Sequence, residues 1–167
     1  MKEVNLNKLL DIAGEQAGGL EMEMLSFSDL LSRNFELRTF LEDNSIPGAN
    51  KEKLFAALLP HVSDLFRQLF NLLVEQSLMP RFAALTSSFS GLVSRKTATQ
   101  LLEVTSAREL AASERARIQS FIKDRVRFYF KSDPTLLGGV RLHWEDGRFL
   151  DLSFSCSLEQ LKEKIIA

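Results

Sequence analysis

His61 and His143, Cys156, the Gly138-Gly139 pair, the adjacent carboxylates Glu145-Asp146 and a run of cations from Arg115 to Lys131 are the groups with chemistry to offer. The two imidazoles are far apart in sequence, and no acidic residue is spaced to share a helical face with His61, so a metal site is not expected. His143 alternates with apolar positions, which puts it on the exposed face of a hairpin. Cys156 is the only cysteine. It lies between serines with no sequence-local base to activate it, and alone it excludes an internal disulfide, a thiolate cluster and a CxxC redox pair. A single thiol also favours a reducing compartment. Gly138-Gly139 lacks both GxGxxG and the Gly-Lys-Ser/Thr ending of a phosphate loop, so a bend close to another element explains it better. Glu145-Asp146 falls at a turn, where acidic residues need no catalytic role. With no nucleophile, cofactor loop or ligand cluster, the sequence predicts a binding protein rather than an enzyme, with neither metal nor cofactor.

The cations Arg115, Arg117, Lys123, Arg125 and Arg127 precede Phe128, Tyr129 and Phe130. A basic helix leading into an aromatic strand is one way to hold nucleic acid, by phosphate contacts and base stacking. The glycines that separate aromatics in RNA-recognition strands are absent, and Glu114 and Asp124 dilute the charge. A solvated helix face is the expectation.

The elements that position these residues follow from composition and period. The chain has 167 residues, 21 Lys+Arg against 22 Asp+Glu and 45% hydrophobic content, the profile of a globular protein whose charge of −1 gives no strong pull toward nucleic acid or anionic lipid. Phe55 to Leu59 is the longest strictly apolar run, far short of the roughly 20 residues of a bilayer span, so no direct membrane insertion is expected. In the first hundred residues apolar spacing is helical. Six helices are predicted: Leu6 to Ala17, one carrying Leu20, Met24, Leu25, Phe27, Leu30 and Leu31, one around Leu37, Phe40 and Leu41, Lys51 to Leu59, residues 62 to 78, and Arg81 to about Thr99. Pro60 and Pro80 are breakers between them. In the fifth helix Val62, Leu65, Phe66, Leu69, Phe70 and Leu73 follow i, i+3, i+4, i+7, i+8 and i+11. Leu72 and Val74 widen its apolar arc to roughly 200°, about twice what one core requires. Either that helix is the central rod, or part of its surface waits for another helix.

Beyond residue 100 the period changes. Leu101 to Thr105 is β-compatible, Ala111 to Val126 is helical with Ser113 as N-cap and Leu110, Ile118, Phe121 and Ile122 inward, and Arg127 to Lys131 reads as a strand. Val140, Leu142 and Trp144 alternate with polar residues, as do Leu150, Leu152 and Phe154, which predicts two half-buried strands joined at Asp146-Gly147. A last helix has Leu158, Leu161 and Ile165 inward and capping-box spacing in Ser157-Leu-Glu-Gln160. The fold class is thus α+β and predominantly α: a six-helix bundle over 1–100, then a small α/β domain with a β-hairpin over 101–167.

Five pieces in this order resemble the delta subunit of F-type ATP synthases, whose mitochondrial counterpart is the oligomycin sensitivity-conferring protein. Asn34-Phe-Glu-Leu-Arg-Thr-Phe-Leu41 is similar to the family's Asn-Pro-Glu-Leu-Arg-x-Phe-Leu, and Leu69-Phe-Asn-Leu-Leu-Val74 to its Leu-x-Asn-Phe-Leu-x-Leu-Leu helix. Glu103-Val-Thr-Ser-Ala107, Asp133-Pro-Thr-Leu-Leu-Gly-Gly-Val140 and Leu150-Asp-Leu-Ser153 match its Val-Thr-Ser-Ala strand, Asp-Pro-Ser-Leu-Ile-Gly-Gly loop and Ile-Asp-Gly-Ser strand. The chain departs at three places. Only the second half of the family's opening Tyr-Ala-x-Ala-Leu helix is represented, its Gly-Arg after the long helix is replaced by Gln76-Ser-Leu-Met-Pro80, and the Gly of Ile-Asp-Gly-Ser is Leu152.

The resemblance implies a non-catalytic stator component that couples proton or sodium flow to ATP synthesis. It implies that Leu9, Leu10, Ile12, Ala13, Leu65, Phe66, Leu69, Leu72 and Leu73 line a groove for N-terminal helices of alpha subunits. It likewise implies that Leu136, Leu137, Gly138, Gly139, Leu158, Leu161 and Ile165 meet b-type peripheral-stalk subunits. The protein would sit peripherally at the cytoplasmic face of the bacterial inner membrane, held there by partner subunits. A helical adaptor of another complex and a weak nucleic-acid-binding module are the alternatives.

Overall fold

The computed structural model describes residues 4–123 and 125–154. The chain is α+β and predominantly helical, and it divides into two compact units, Met1–Lys96 and Thr97–Ala167. The first contains α1 (Leu6–Ala13), α2 (Ala17–Arg33), α3 (Phe35–Glu42), α4 (Gly48–Leu58), α5 (Asp64–Glu75) and α6 (Phe82–Thr97), with 3₁₀ turns at Gly14–Gln16 and Met79–Arg81.

Helix starts are written in short polar side chains. Asn5 Oδ1 accepts from Lys8 N at 3.0 Å, Asn34 Oδ1 from Leu37 N at 3.0 Å and Ser63 Oγ from Phe66 N at 3.2 Å, each satisfying one orphan donor of a first turn. The helix expected over Leu6 to Ala17 instead breaks at Gly14, whose φ of +51° leaves the helical region. The fifth helix ends at Glu75 and not at residue 78. Leu78 N donates to Leu73 O at 2.8 Å and Ser77 N to Val74 O at 3.1 Å, a C-terminal cap that holds Ser77 at φ +56°.

The core of this unit is organised around Phe27 on α2. Its ring meets those of Phe55, Phe66, Phe70 and Phe82 at centroid distances of 5.4, 5.8, 5.9 and 5.2 Å, all edge-to-face. The central rod is therefore α2, which packs against α1, α3 and α5. Helix α5 buries Phe66, Leu69, Phe70, Leu73 and Val74 and leaves Leu72 outside the core. Two buried charges tie elements together. Lys51 Nζ donates to Leu41 O at 2.8 Å at the end of α3, and Ser90 Oγ donates to Glu21 Oε1 at 2.6 Å between α6 and α2.

The second unit holds β1 (Gln100–Ser106), α7 (Ala112–Phe121), β2 (Val126–Ser132), β3 (Val140–Trp144) and β4 (Phe149–Asp151) in one sheet of order β2-β1-β3-β4. β1 runs parallel to β2, which makes β1-α7-β2 a crossover unit, and antiparallel to β3. The β3–β4 pair closes through Asp146-Gly147, where Gly147 has φ +91° and Asp146 Oδ1 accepts from Arg148 N at 3.0 Å. Leu102, Val104, Leu142 and Trp144 form the core, with Leu110, Ile118, Ile122, Phe128 and Phe130 packed against it.

In the second unit four local expectations differ from the structure. Helix α7 covers Ala112–Phe121 rather than 111–126, because Ile122 is already extended at φ −89°, ψ 110°. Ser113 is not its N-cap: that position is Ala111, whose backbone N–H donates to the Glu114 carboxylate at 2.9 Å, half of a capping box. Phe121 points out and is 78% exposed. Leu150, Leu152 and Phe154 are exposed as well: β4 is the edge strand and ends at Asp151, so Leu150 sits at the edge, the other two lie past the strand, and all three are outside the cluster where α7's apolar side chains pack.

Candidate functional site

In the helical unit, α1 and α5 line a groove of about 450 Å³. Its walls are Val4, Asn5, Lys8, Leu9 and Ile12 on one side and Leu65, Gln68, Leu69, Leu72 and Gln76 on the other. The spacings are those of a single helical face on each wall, 5, 8, 9 and 12 facing 65, 68, 69, 72 and 76. Leu9 and Leu69 form a buried floor, while Ile12 is 64% and Leu72 38% exposed. An apolar trough with polar ends, flanked by two capped helices, is the geometry into which an amphipathic helix lays its apolar face.

Of the nine residues expected in this groove, Leu9, Ile12, Leu65, Leu69 and Leu72 line it. Leu10, Ala13, Phe66 and Leu73 are instead buried in the unit's own core, Phe66 and Leu73 with 0% exposure. The sequence pattern counted apolar residues within helices alone and so passed over the polar Asn5, Lys8, Gln68 and Gln76, and Val4, which precedes α1. All but Val4 share the i, i+3, i+4 face of residues that were picked. Treating polar residues on that face as wall positions would have found them.

The N-terminus of the α5 wall is held by a carboxylate from α2. Glu23 accepts from Ser63 N at 2.6 Å and from Ser63 Oγ at 2.5 Å, beside the positive end of the α5 dipole. On the other wall, Lys96 Nζ donates to Leu10 O at 3.5 Å and lies 3.8 Å from Asp11 Oδ1. Both walls are thus fastened to neighbouring helices, which keeps the groove preformed.

In the second unit the Gly138-Gly139 loop is forced by close approach. A Cβ on Gly139, whose φ is +79°, would fall 2.2 Å from Leu152 O, and one on Gly138 would fall 2.5 Å from the Phe154 ring. Phe154 N donates to Gly138 O at 3.1 Å and Leu152 N to Val140 O at 2.9 Å, so the loop lies flat on the residues that follow β4. Of the residues expected to meet the stalk, Leu136 is buried and Leu137 is 72% exposed beside this loop. Leu158, Leu161 and Ile165, like Cys156, lie outside the described residues.

The basic stretch is largely committed within its own unit. Arg115 donates to Leu110 O at 2.9 Å and to Glu109 at 3.1 Å, and its guanidinium lies 5.4 Å from the Phe130 ring. Arg127 binds Thr97 and Thr99, Lys131 pairs with Glu103 at 2.5 Å, and Tyr129 is buried. Phe128 and Phe130 stack on each other at 5.8 Å against the core. Arg108 closes a bidentate pair on Glu114 at 2.6 and 2.9 Å. That hydrogen bond first, then the one from Ala111 N, holds the Glu114 carboxyl down at about 2. Among the described residues no three His, Cys, Asp or Glu side chains gather into a metal site, and no helix is long and apolar enough to cross a membrane.

Residues 8–165 match the family described as ATP synthase delta (OSCP) subunit. The chain is 28% identical over 165 residues to the ATP synthase subunit delta of Moorella thermoacetica, covering 96% of this chain and 90% of that one. It is 24% identical over 163 residues to the ATP synthase subunit delta of Flavobacterium psychrophilum, covering 94% and 92%. Its fold is similar to that of a chain in the cryo-EM structure of the Toxoplasma gondii mitochondrial ATP synthase hexamer, with TM-score 0.52, 18% identity and coverage of 97% and 95%.

Proposed function

Because the chain belongs to the ATP synthase delta (OSCP) subunit family, we propose that its six N-terminal helices act as one bundle that receives N-terminal helices of alpha subunits in the α1/α5 groove. The protein is a non-catalytic subunit of the ATP synthase and a stator component of its peripheral stalk, serving ATP synthesis. The observation that carries the alpha-subunit assignment is the groove itself, whose wall residues Ile12 and Leu72 stay exposed although the other apolar residues of their helices are buried or half-buried. A globular unit gains nothing from leaving these side chains in water, whereas a docked helix would remove their apolar surface at roughly 25 cal/mol per Å².

The second unit then meets b-type subunits through the Leu136–Gly139 loop and the residues that follow β4. Leu137, Leu150, Leu152 and Phe154, all exposed and apolar around that loop, support this. Seated between head and stalk, the protein resists the torque of the rotor, so that proton or sodium flow drives synthesis instead of turning the head. It works at the cytoplasmic face of the plasma membrane and is held there by its partners. The Arg115 to Lys131 stretch gives little support to a nucleic-acid role, because Arg115, Arg127, Lys131 and its three aromatics are engaged within the unit.

Calorimetric titration of the full chain with a synthetic peptide of the alpha subunit's N-terminal helix, from the same complex, tests the groove. Saturable binding is expected; a folded protein that takes up none would refute the assignment.

A further inference from the structure

The groove carries a charge that its apolar lining does not require. Lys8 sits in the first turn of α1, a turn with no acidic residue, where a cation opposes the helix dipole. Its backbone N–H completes the Asn5 cap. Its ammonium, however, enters no ion pair among the described residues. Asp11, the one acidic residue of α1, lies by Lys96 at 3.8 Å instead. Across the groove α5 presents Gln68 and Gln76, which are neutral, so no described wall residue is acidic. Among the described residues the cavity is thus an apolar floor with amides at its rim and one positive charge that no carboxylate balances.

Resting on the alpha-subunit reading above, we propose that Lys8 is a specificity-determining residue of the groove: it selects an amphipathic helix that carries a carboxylate on the flank of its apolar face, next to the end that meets the first turn of α1. The carboxylate pairs with the Lys8 ammonium and also faces the positive end of the α1 dipole. Gln68, Gln76 and Asn5 supply neutral donors and acceptors that neither replace this pair nor compete with it. A helix with a Lys or Arg at that flank is rejected by like charge. Orientation follows too, because only one direction of the docked helix brings the carboxylate to Lys8.

The test is calorimetric titration of the full chain with the alpha-subunit N-terminal peptide at low and at high salt. Relative to wild type, Lys8→Gln is expected to weaken low-salt binding about three- to fivefold and Lys8→Glu about tenfold or more, and both should flatten the salt dependence. Lys53→Glu makes the same charge change on exposed α4, outside the groove, and should stay within about twofold. Among peptides with each acidic residue changed to its amide, one should lose as much affinity for wild type as Lys8→Gln does, with no further loss on the variant. If wild type binds the peptide and folded Lys8→Glu matches it in affinity and salt dependence, the role of Lys8 is overturned and the groove assignment stands. If folded wild type does not bind, both fall.

Discussion

Ile12→Ala separates docking from folding better than any other change in the groove. Ile12 is 64% exposed on the α1 wall. Truncation to Ala removes three carbons, each contributing about 0.8 kcal/mol when fully buried. A docked helix that covers the exposed part would lose roughly 1.5 kcal/mol, which is about tenfold in affinity. Folding loses only the fraction already covered, about 0.9 kcal/mol, and regains part of it because Ala is the better helix former by about 0.4 kcal/mol. Calorimetric titration with the alpha-subunit peptide and urea denaturation of the same preparation give both numbers. About tenfold weaker binding at a stability change under about 1 kcal/mol is expected. Wild-type affinity in the folded variant would show that this face of α1 does not take the helix.

The neighbours Leu72 and Leu73 should part in the same two assays: Leu72→Asp, at a site 38% exposed, weakens peptide binding more than it destabilises the fold, whereas Leu73→Ala, fully buried, costs about 2–5 kcal/mol of stability. Ser77→Gly relieves a residue held at φ +56° and should raise stability by about 0.5–1 kcal/mol in denaturant titration; an unchanged midpoint would count against the strain. Gly139→Ala should destabilise the second unit by about 2 kcal/mol or more, read by hydrogen exchange of β3 and β4, because of the φ of +79° and the contact with Leu152 O. In a carboxyl NMR titration Glu114 should ionise near 2, and in Arg108→Ala its midpoint should climb toward 4.5. A folded-state value below the unfolded one means that the pair's contribution is complete above about 4.5 and is lost as the pH falls toward 2.

Much of this fold is legible in the sequence because its helices bury one face each. Phe66, Leu69, Phe70 and Leu73 could be assigned to a helix by spacing alone, and Asp146-Gly147 to a hairpin turn by the φ that only Gly takes freely. Spacing cannot tell which apolar side chain faces the core and which faces a groove. Leu72 and Leu73 are adjacent and equally apolar, and only the packing of α2 against α5 separates them. Buried polar contacts were equally silent: Glu21 lies in the same helical stripe as Leu20 and Met24, and its partner Ser90 is 69 residues away. The parallel pairing of β1 with β2 left no local trace either, since strand order follows from where α7 packs. At β4 the alternation of Leu150, Leu152 and Phe154 predicts a longer, half-buried strand, whereas the strand stops at Asp151 and all three side chains are exposed, because an edge is covered only if something reaches it.

The stator role itself is tested most directly in membrane vesicles stripped of their delta subunit, by measuring ATP synthesis driven by an imposed ion gradient before and after adding back this protein. Synthesis is expected to return in proportion to the protein rebound while the hydrolytic turnover of the detached head is unchanged, and Ile12→Ala should need more protein to reach the same level. Rebinding of the protein to the vesicles without any recovery of gradient-driven synthesis would contradict the stator role.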